Sequence, residues 1–252
     1  MSSKFIWYEL MTSDTAAART FYGEVVGWGA QDFGEGMDYT LFTTGGQPVA
    51  GMMAIPKEIC DQAKPGWIGY VAVEDVDAMA GRIKDEGGQI ARAPEDIPGV
   101  GRFAVVTDPH GASFCIMRGI GEAPPNPPHG TPGHTGWREL HAGDREQAAA
   151  FYTKLFGWTL PDKVDMGEMG FYQIFMADGI QGGGMMTKMP QSPQPFWLYY
   201  FTVGDIDAAA ARIKAAGGQV MNGPMEVPGG DWIVQGFDPQ GAMFAIVGRK
   251  GQ

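Results

Sequence analysis

Two short runs set an acidic side chain among bulky apolar ones: Trp7-Tyr8-Glu9-Leu10 and Trp137-Arg138-Glu139-Leu140-His141. Both read as buried strands, each followed by a helix-start signal at Asp14 or Asp144. Side chains alternate faces along a strand, so Trp7, Glu9 and Met11 share one face and Trp137, Glu139 and His141 share the equivalent face. A carboxylate between apolar neighbours on an inward face is costly unless it has a partner. Burial also raises the pKa of a carboxylic acid and suits it to general acid or base work. Glu9 and Glu139 are therefore the leading candidates for chemistry. The bland alternative, a structural carboxylate bonded by a neighbouring backbone or a tyrosine, stays open. His141 has Met11 as its counterpart, which makes the second face the better equipped for proton transfer unless the change is drift at a strand end.

The elements that position these residues are written twice. Phe21-Tyr22 and Gly27-Trp28 return as Phe151-Tyr152 and Gly157-Trp158; Asp77-Ala78, Arg82-Ile83-Lys84 and Gly87-Gly88-Gln89 return as Asp207-Ala208, Arg212-Ile213-Lys214 and Gly217-Gly218-Gln219. Asp108-Pro109 and Gly111-Ala112 return as Asp238-Pro239 and Gly241-Ala242. The offset is 130 at each anchor (137 − 7, 207 − 77, 238 − 108), which marks a duplicated unit. Within the first half, strands are expected over 5–11, 37–43, 49–55, 67–73, 102–107 and 112–117. Ser13 or Asp14 starts one helix that Gly27 closes, and Asp75 or Asp77 starts another that Gly87-Gly88 stops. Each half thus holds two copies of strand, helix, then several strands. The expected organisation is α+β: a domain over 1–118, a semi-rigid Pro/Gly-rich surface linker over 119–135 that includes Pro124 and Pro125, and a second domain over 136–252.

Composition narrows the partners. The 252-residue chain carries a formal net charge of −11, which disfavours nucleic acid and anionic membrane surfaces. No apolar run is long enough to span a bilayer and no signal segment opens the chain, so a cytoplasmic protein is expected. The 2 cysteines, Cys60 and Cys115, occupy unlike places in the repeat, and reduced thiols fit better than a disulfide.

The strand-Asp-helix-Phe-Tyr-Gly entry, the Val-X-Asp helix ending in Gly-Gly and the Asp-Pro-X-Gly turn before a last strand resemble the vicinal-oxygen-chelate superfamily of glyoxalases, bleomycin-resistance proteins and extradiol dioxygenases. The likeness is greatest to its two-domain, glyoxalase-like subgroup with Trp-X-Glu-Leu first strands. The resemblance implies paired βαβββ modules curling into an open, cavity-enclosing β-barrel in each domain. It also implies where a metal would be held in metal-using members: Trp7 and Trp137, Ile68 and Leu198, Cys115 and Ala245, and the neighbourhoods of Gly51 and Gly184. Only Cys115 among these has a metal-binding group, and a divalent ion needs three or four donors. No metal and no cofactor are therefore expected.

Tyr70 and Tyr200 stand two residues beyond Ile68 and Leu198 and should face the same cavities, bonding the carboxylate or a ligand oxygen, or simply filling core. Trp7 and Trp137 should occupy the space a metal would take and can stack on a flat ligand. The reading is a small-molecule protein that binds an apolar or aromatic compound in metal-free cavities. Glu9, Glu139 and His141 are its acid/base candidates, and Trp7, Tyr70, Cys115, Trp137 and Tyr200 its ligand contacts. Binder and enzyme both remain open. The alternative is a metal-dependent glyoxalase-type lyase or dioxygenase with displaced ligands. Two fused domains can pair within one chain, so either a monomer or a homodimer is compatible.

Overall fold

A computed structural model describes residues 3–34, 38–60, 63–121 and 127–251. The chain is α+β and runs strand, helix, three strands four times over. The first module is β1 (Phe5–Thr12), α1 (Thr15–Val26), β2 (Gly29–Asp32), β3 (Tyr39–Thr44) and β4 (Gln47–Ala54). The second is β5 (Gly66–Ala72), α2 (Val76–Asp85), β6 (Gln89–Ile97), β7 (Gly101–Thr107) and β8 (Ser113–Gly119). The third is β9 (Thr135–Ala142), α3 (Arg145–Phe156), β10 (Lys163–Asp165), β11 (Phe171–Ala177) and β12 (Ile180–Thr187). The fourth is β13 (Phe196–Asp205), α4 (Ile206–Ala215), β14 (Gln219–Glu226), β15 (Trp232–Phe237) and β16 (Met243–Arg249). Strand order is β2-β3-β4-β1-β5-β8-β7-β6 in one eight-stranded sheet and β10-β11-β12-β9-β13-β16-β15-β14 in the other.

Helix boundaries follow the local chemistry. Asp14, Asp75, Asp144 and Asp205 sit in extended backbone, and their carboxylates accept the N–H of Ala17, Ala78, Gln147 and Ala208. Asp14 and Asp75, not Ser13 and Asp77, are thus the caps. Gly27 and Gly157 end α1 and α3 at φ of 87° and 67°, a left-handed turn that a Cβ would penalise. Met37, expected to open the third strand, and Pro124 and Pro125 lie outside the described residues. The expected linker is strand at both ends, since β8 runs through Gly119 and β9 opens at Thr135. Its last residues are fastened down: the Gly133 N–H donates to the Thr202 carbonyl (2.9 Å), the Thr202 N–H to His134 (2.8 Å), and the Trp28 indole to the Gly133 carbonyl (2.7 Å). Desolvation holds the His134 imidazole below its ordinary pKa.

By packing, the chain divides into two compact units, each drawn from both halves of the repeat. Unit I takes Met1–Ile6, Ile68–Pro125 and Arg138–Leu198; unit II takes Trp7–Trp67, Asn126–Trp137 and Tyr199–Gln252. Inside unit II, the buried Tyr22 of α1 donates to Asp238 (3.1 Å) and accepts from the Trp67 indole (2.8 Å). Rings of Trp28, Phe42, Phe201 and Phe244 surround it. Inside unit I, Tyr152 of α3 donates to Asp108 (3.5 Å) and accepts from Trp197 (3.1 Å). The two sequence signatures of the repeat meet here, the Phe-Tyr helix of one half on the Asp-Pro turn of the other. Each aspartate divides its oxygens. One accepts backbone N–H groups of its own turn, at Gln240 and Ala242 or at His110 and Ala112, and the other accepts the tyrosine. Burial pushes both carboxyls above the ordinary range, against the pull of those N–H groups, and burial beside Asp238 pushes the Tyr22 phenol well up.

Candidate functional site

Strand alternation sets Glu9 on the face of β1 away from its core residues, while Glu139 lies in the half of β9 that is buried on both faces. On β1, Tyr8, Leu10 and Thr12 are buried in the core while Trp7, Glu9 and Met11 are half-buried on the other face. The parallel pairing of β1 with β4 sets Glu9 opposite Gly51, and that of β9 with β12 sets Glu139 opposite Gly184. Those glycines leave room for a tyrosine to cross them. In unit II the Tyr39 hydroxyl donates to Glu9 Oε2 (2.8 Å) and accepts from the Trp7 indole (3.0 Å). In unit I the Tyr172 hydroxyl donates to Glu139 Oε2 (2.9 Å). A Cβ on Gly51 would fall on the Tyr39 hydroxyl, and one on Gly184 would fall on the Tyr172 ring. The glycines are needed here for space rather than for backbone freedom.

Beyond this shared plan the two regions differ. Glu139 is 8% exposed, and its Oε1 lies 2.8 Å from His141 Nε2. The approach is short but off the line of an aligned hydrogen bond, and neither ring nitrogen of the buried His141 has an aligned partner. The imidazole stacks on Phe196 at 4.4 Å and 7°. In the first half the equivalent positions hold Met11 and Gly66 (141 − 11 = 130, 196 − 66 = 130).

Tyr70 is buried in unit I opposite the buried Cys115, with the Phe103 ring 6.2 Å away. Tyr200 is buried in unit II and accepts from Gln235 Nε2 (2.6 Å). Trp137 is half-buried near the start of β9. The structure therefore joins Trp7 with Glu9 through Tyr39, and brings His141 Nε2 to 2.8 Å from Glu139. Tyr39, Tyr172, Phe196 and Gln235 were not singled out by the sequence pattern. The missed signal was a change of offset, since Tyr39 and Gly51 return at Tyr172 and Gly184 (172 − 39 = 133, 184 − 51 = 133). In each methionine pair, Met52 and Met185 face the core beside Leu10 and Leu140, while Met53 and Met186 register with Met11 and His141.

The residues at the positions where metal-using members hold an ion do not fit one. Trp7, Ile68, Gly51 and their repeats carry no donor, and Cys115 offers one thiol. Among the described residues, no group of three or more His, Cys, Asp or Glu side chains is placed to hold a metal. Nor is any described helix long and apolar enough to cross a membrane.

Fold and residue pattern agree with the comparisons to known proteins. Residues 4–116 and 131–246 both match the Glyoxalase/Bleomycin resistance protein/Dioxygenase superfamily, and the chain belongs to that family. It is 34% identical over 247 residues to CFP32 of Mycobacterium tuberculosis (strain CDC 1551 / Oshkosh), a protein provisionally named a glyoxylase, covering 96% of this chain and 93% of the relative. It is 33% identical over 261 residues to the anthracycline biosynthesis protein DauV of Streptomyces sp. (strain C5), covering 96% and 91%. Among solved structures, the Mn(II)-bound glyoxalase of Novosphingobium aromaticivorans shares the fold, with a TM-score of 0.66 and 17% identity over 99% of this chain and 83% of that one.

Proposed function

We propose that this protein binds a small, largely apolar or aromatic molecule in a cavity that does without the family's metal, with Glu9 and Glu139 orienting a polar group of the ligand. Proton transfer, where it occurs, belongs to the second half at Glu139 and His141. The observation that carries the reading is the pair of carboxylates, each fixed by a tyrosine that crosses a glycine. Tyrosine, glycine and tryptophan stand around the seats where an ion would need donors. The name of DauV supports an aromatic ligand, since anthracyclines are fused-ring aromatics. The acidic chain suits a neutral molecule better than an anionic one.

Two assays test this. Titration of tryptophan fluorescence with 1,2-dihydroxyanthraquinone should show saturable quenching, and Glu139→Gln should weaken it by about 10- to 100-fold, the worth of a hydrogen bond to a charged group. Turnover of the methylglyoxal–glutathione hemithioacetal should be absent with or without added Mn(II), Ni(II) or Zn(II). Metal-stimulated turnover would instead establish the lyase reading that the name of CFP32 suggests.

A further inference from the structure

We infer that His141 Nδ1 is the basic atom of the second-half site and that the ligand presents to it an acidic hydroxyl, phenolic or enolic, on an aromatic frame. This rests on the ligand-binding reading above and adds which atom acts and on what group.

The argument starts from the orphaned nitrogen. His141 is buried to 9% exposure, and a buried polar atom without a partner costs about 1–3 kcal/mol, so it calls for an explanation. Glu139 fixes which nitrogen is which. A carboxylate only accepts, and this one already accepts the Tyr172 hydroxyl. With Glu139 ionised, the ring nitrogen 2.8 Å from its other oxygen, Nε2, is the one that bears hydrogen, off the line of an aligned bond as that approach is. That assignment leaves Nδ1 as a bare lone pair, and the partner it lacks is a donor. A ligand carbonyl or carboxylate would set its own lone pairs against this one and be repelled; a hydroxyl would be held.

The same arrangement completes a proton transfer. The ligand O–H bond breaks, an N–H bond forms at Nδ1, and the ligand keeps the electron pair as an oxyanion. The imidazolium so formed is balanced by the Glu139 carboxylate at 2.8 Å. Glu139 and Tyr172 are positioning residues, and Phe196, stacked at 4.4 Å, fixes the ring plane. The first half has Met11 and Gly66 at the matching places and has no such base.

The test uses the full chain and 1,2-dihydroxyanthraquinone, whose visible band changes when its acidic hydroxyl ionises. Bound dye should show the ionised band at a pH where free dye is neutral, lowering its apparent ionisation by roughly one pH unit, a tenfold shift. His141→Gln should lose that band at a matched bound fraction. Nitrogen-15 spectra of the four histidines, with His141 assigned through the same variant, should show hydrogen on Nε2 and none on Nδ1. Dye that binds without ionising, a band that survives in His141→Gln, or hydrogen on Nδ1 would each overturn the inference. Absence of any quenching would instead sink the ligand-binding reading, with the nitrogen spectra still deciding the arrangement of the base.

Discussion

The two tyrosine-held carboxylates are one design used twice, and their difference lies in two neighbours. Around Glu9 the relay runs from the Trp7 indole through Tyr39 to the carboxylate, with Met11 and Gly66 where the second half has a ring pair. Around Glu139 the tyrosine remains, but a histidine stacked on a phenylalanine joins it. Both halves carry the same frame, tyrosine over glycine onto glutamate. The half that carries His141 and Phe196 in place of Met11 and Gly66 keeps the same tyrosine-to-carboxylate bond. The comparison teaches that the tyrosine clamp on the carboxylate does not depend on the neighbour that stands beside it.

The largest effect that sharpens this contrast is on binding. Glu139→Gln should cost about 10- to 100-fold in affinity for the dihydroxyanthraquinone. Exchanging His141 and Phe196 for methionine and glycine, the first-half pair, should abolish ionisation of the bound dye. Calorimetric titration and visible spectra check these outcomes, and an equal loss from Glu9→Gln would erase the proposed asymmetry. Next come the glycines. Gly51→Ala and Gly184→Ala each drive a Cβ into a tyrosine and should destabilise by about 1–3 kcal/mol in urea melts, as overpacking does. Gly184→Ala should also weaken the dye more than Gly51→Ala does.

Smaller effects belong to the buried relays of the two units. Tyr22→Phe removes a 3.1 Å bond to Asp238 and should cost about 1–2 kcal/mol. Tyr152→Phe, at 3.5 Å from Asp108, should cost less. The smallest effect is on pH dependence. Asp108 and Asp238 have carboxyls raised by burial, so between the ordinary carboxylate range and their raised values the native state holds more protons than the unfolded one. The stability they contribute is whole below the unfolded pKa and is lost as pH rises through the folded one. Urea melts across that window should show stability falling with pH, and Asp108→Asn with Asp238→Asn should flatten the slope.

Much of this was legible in the sequence, because the signals are local. The caps at Asp14 and Asp144, the Gly27 and Gly157 stops and the alternation that sets Glu9 on one face with Trp7 and Met11 are all set by residues within a few positions of one another. The partners of the carboxylates were not legible, since Tyr39 reaches Glu9 across an intervening strand and only register reveals it. The second half lengthens the stretch before Tyr172 by three residues, which broke the offset that exposed the other anchors. The helix tyrosines posed a similar problem. Tyr22 and Asp238 are 216 residues apart, and nothing near either one names the other.

The most direct test of the account is a crystal structure of the protein soaked with 1,2-dihydroxyanthraquinone in the presence of Mn(II) and Zn(II). The account predicts the dye in the second half with a hydroxyl within hydrogen-bond reach of His141 Nδ1, and no ion held by the side chains around Glu9 or Glu139. A metal ligated by three or more side chains of this chain, or dye seated only beside Glu9, would contradict it.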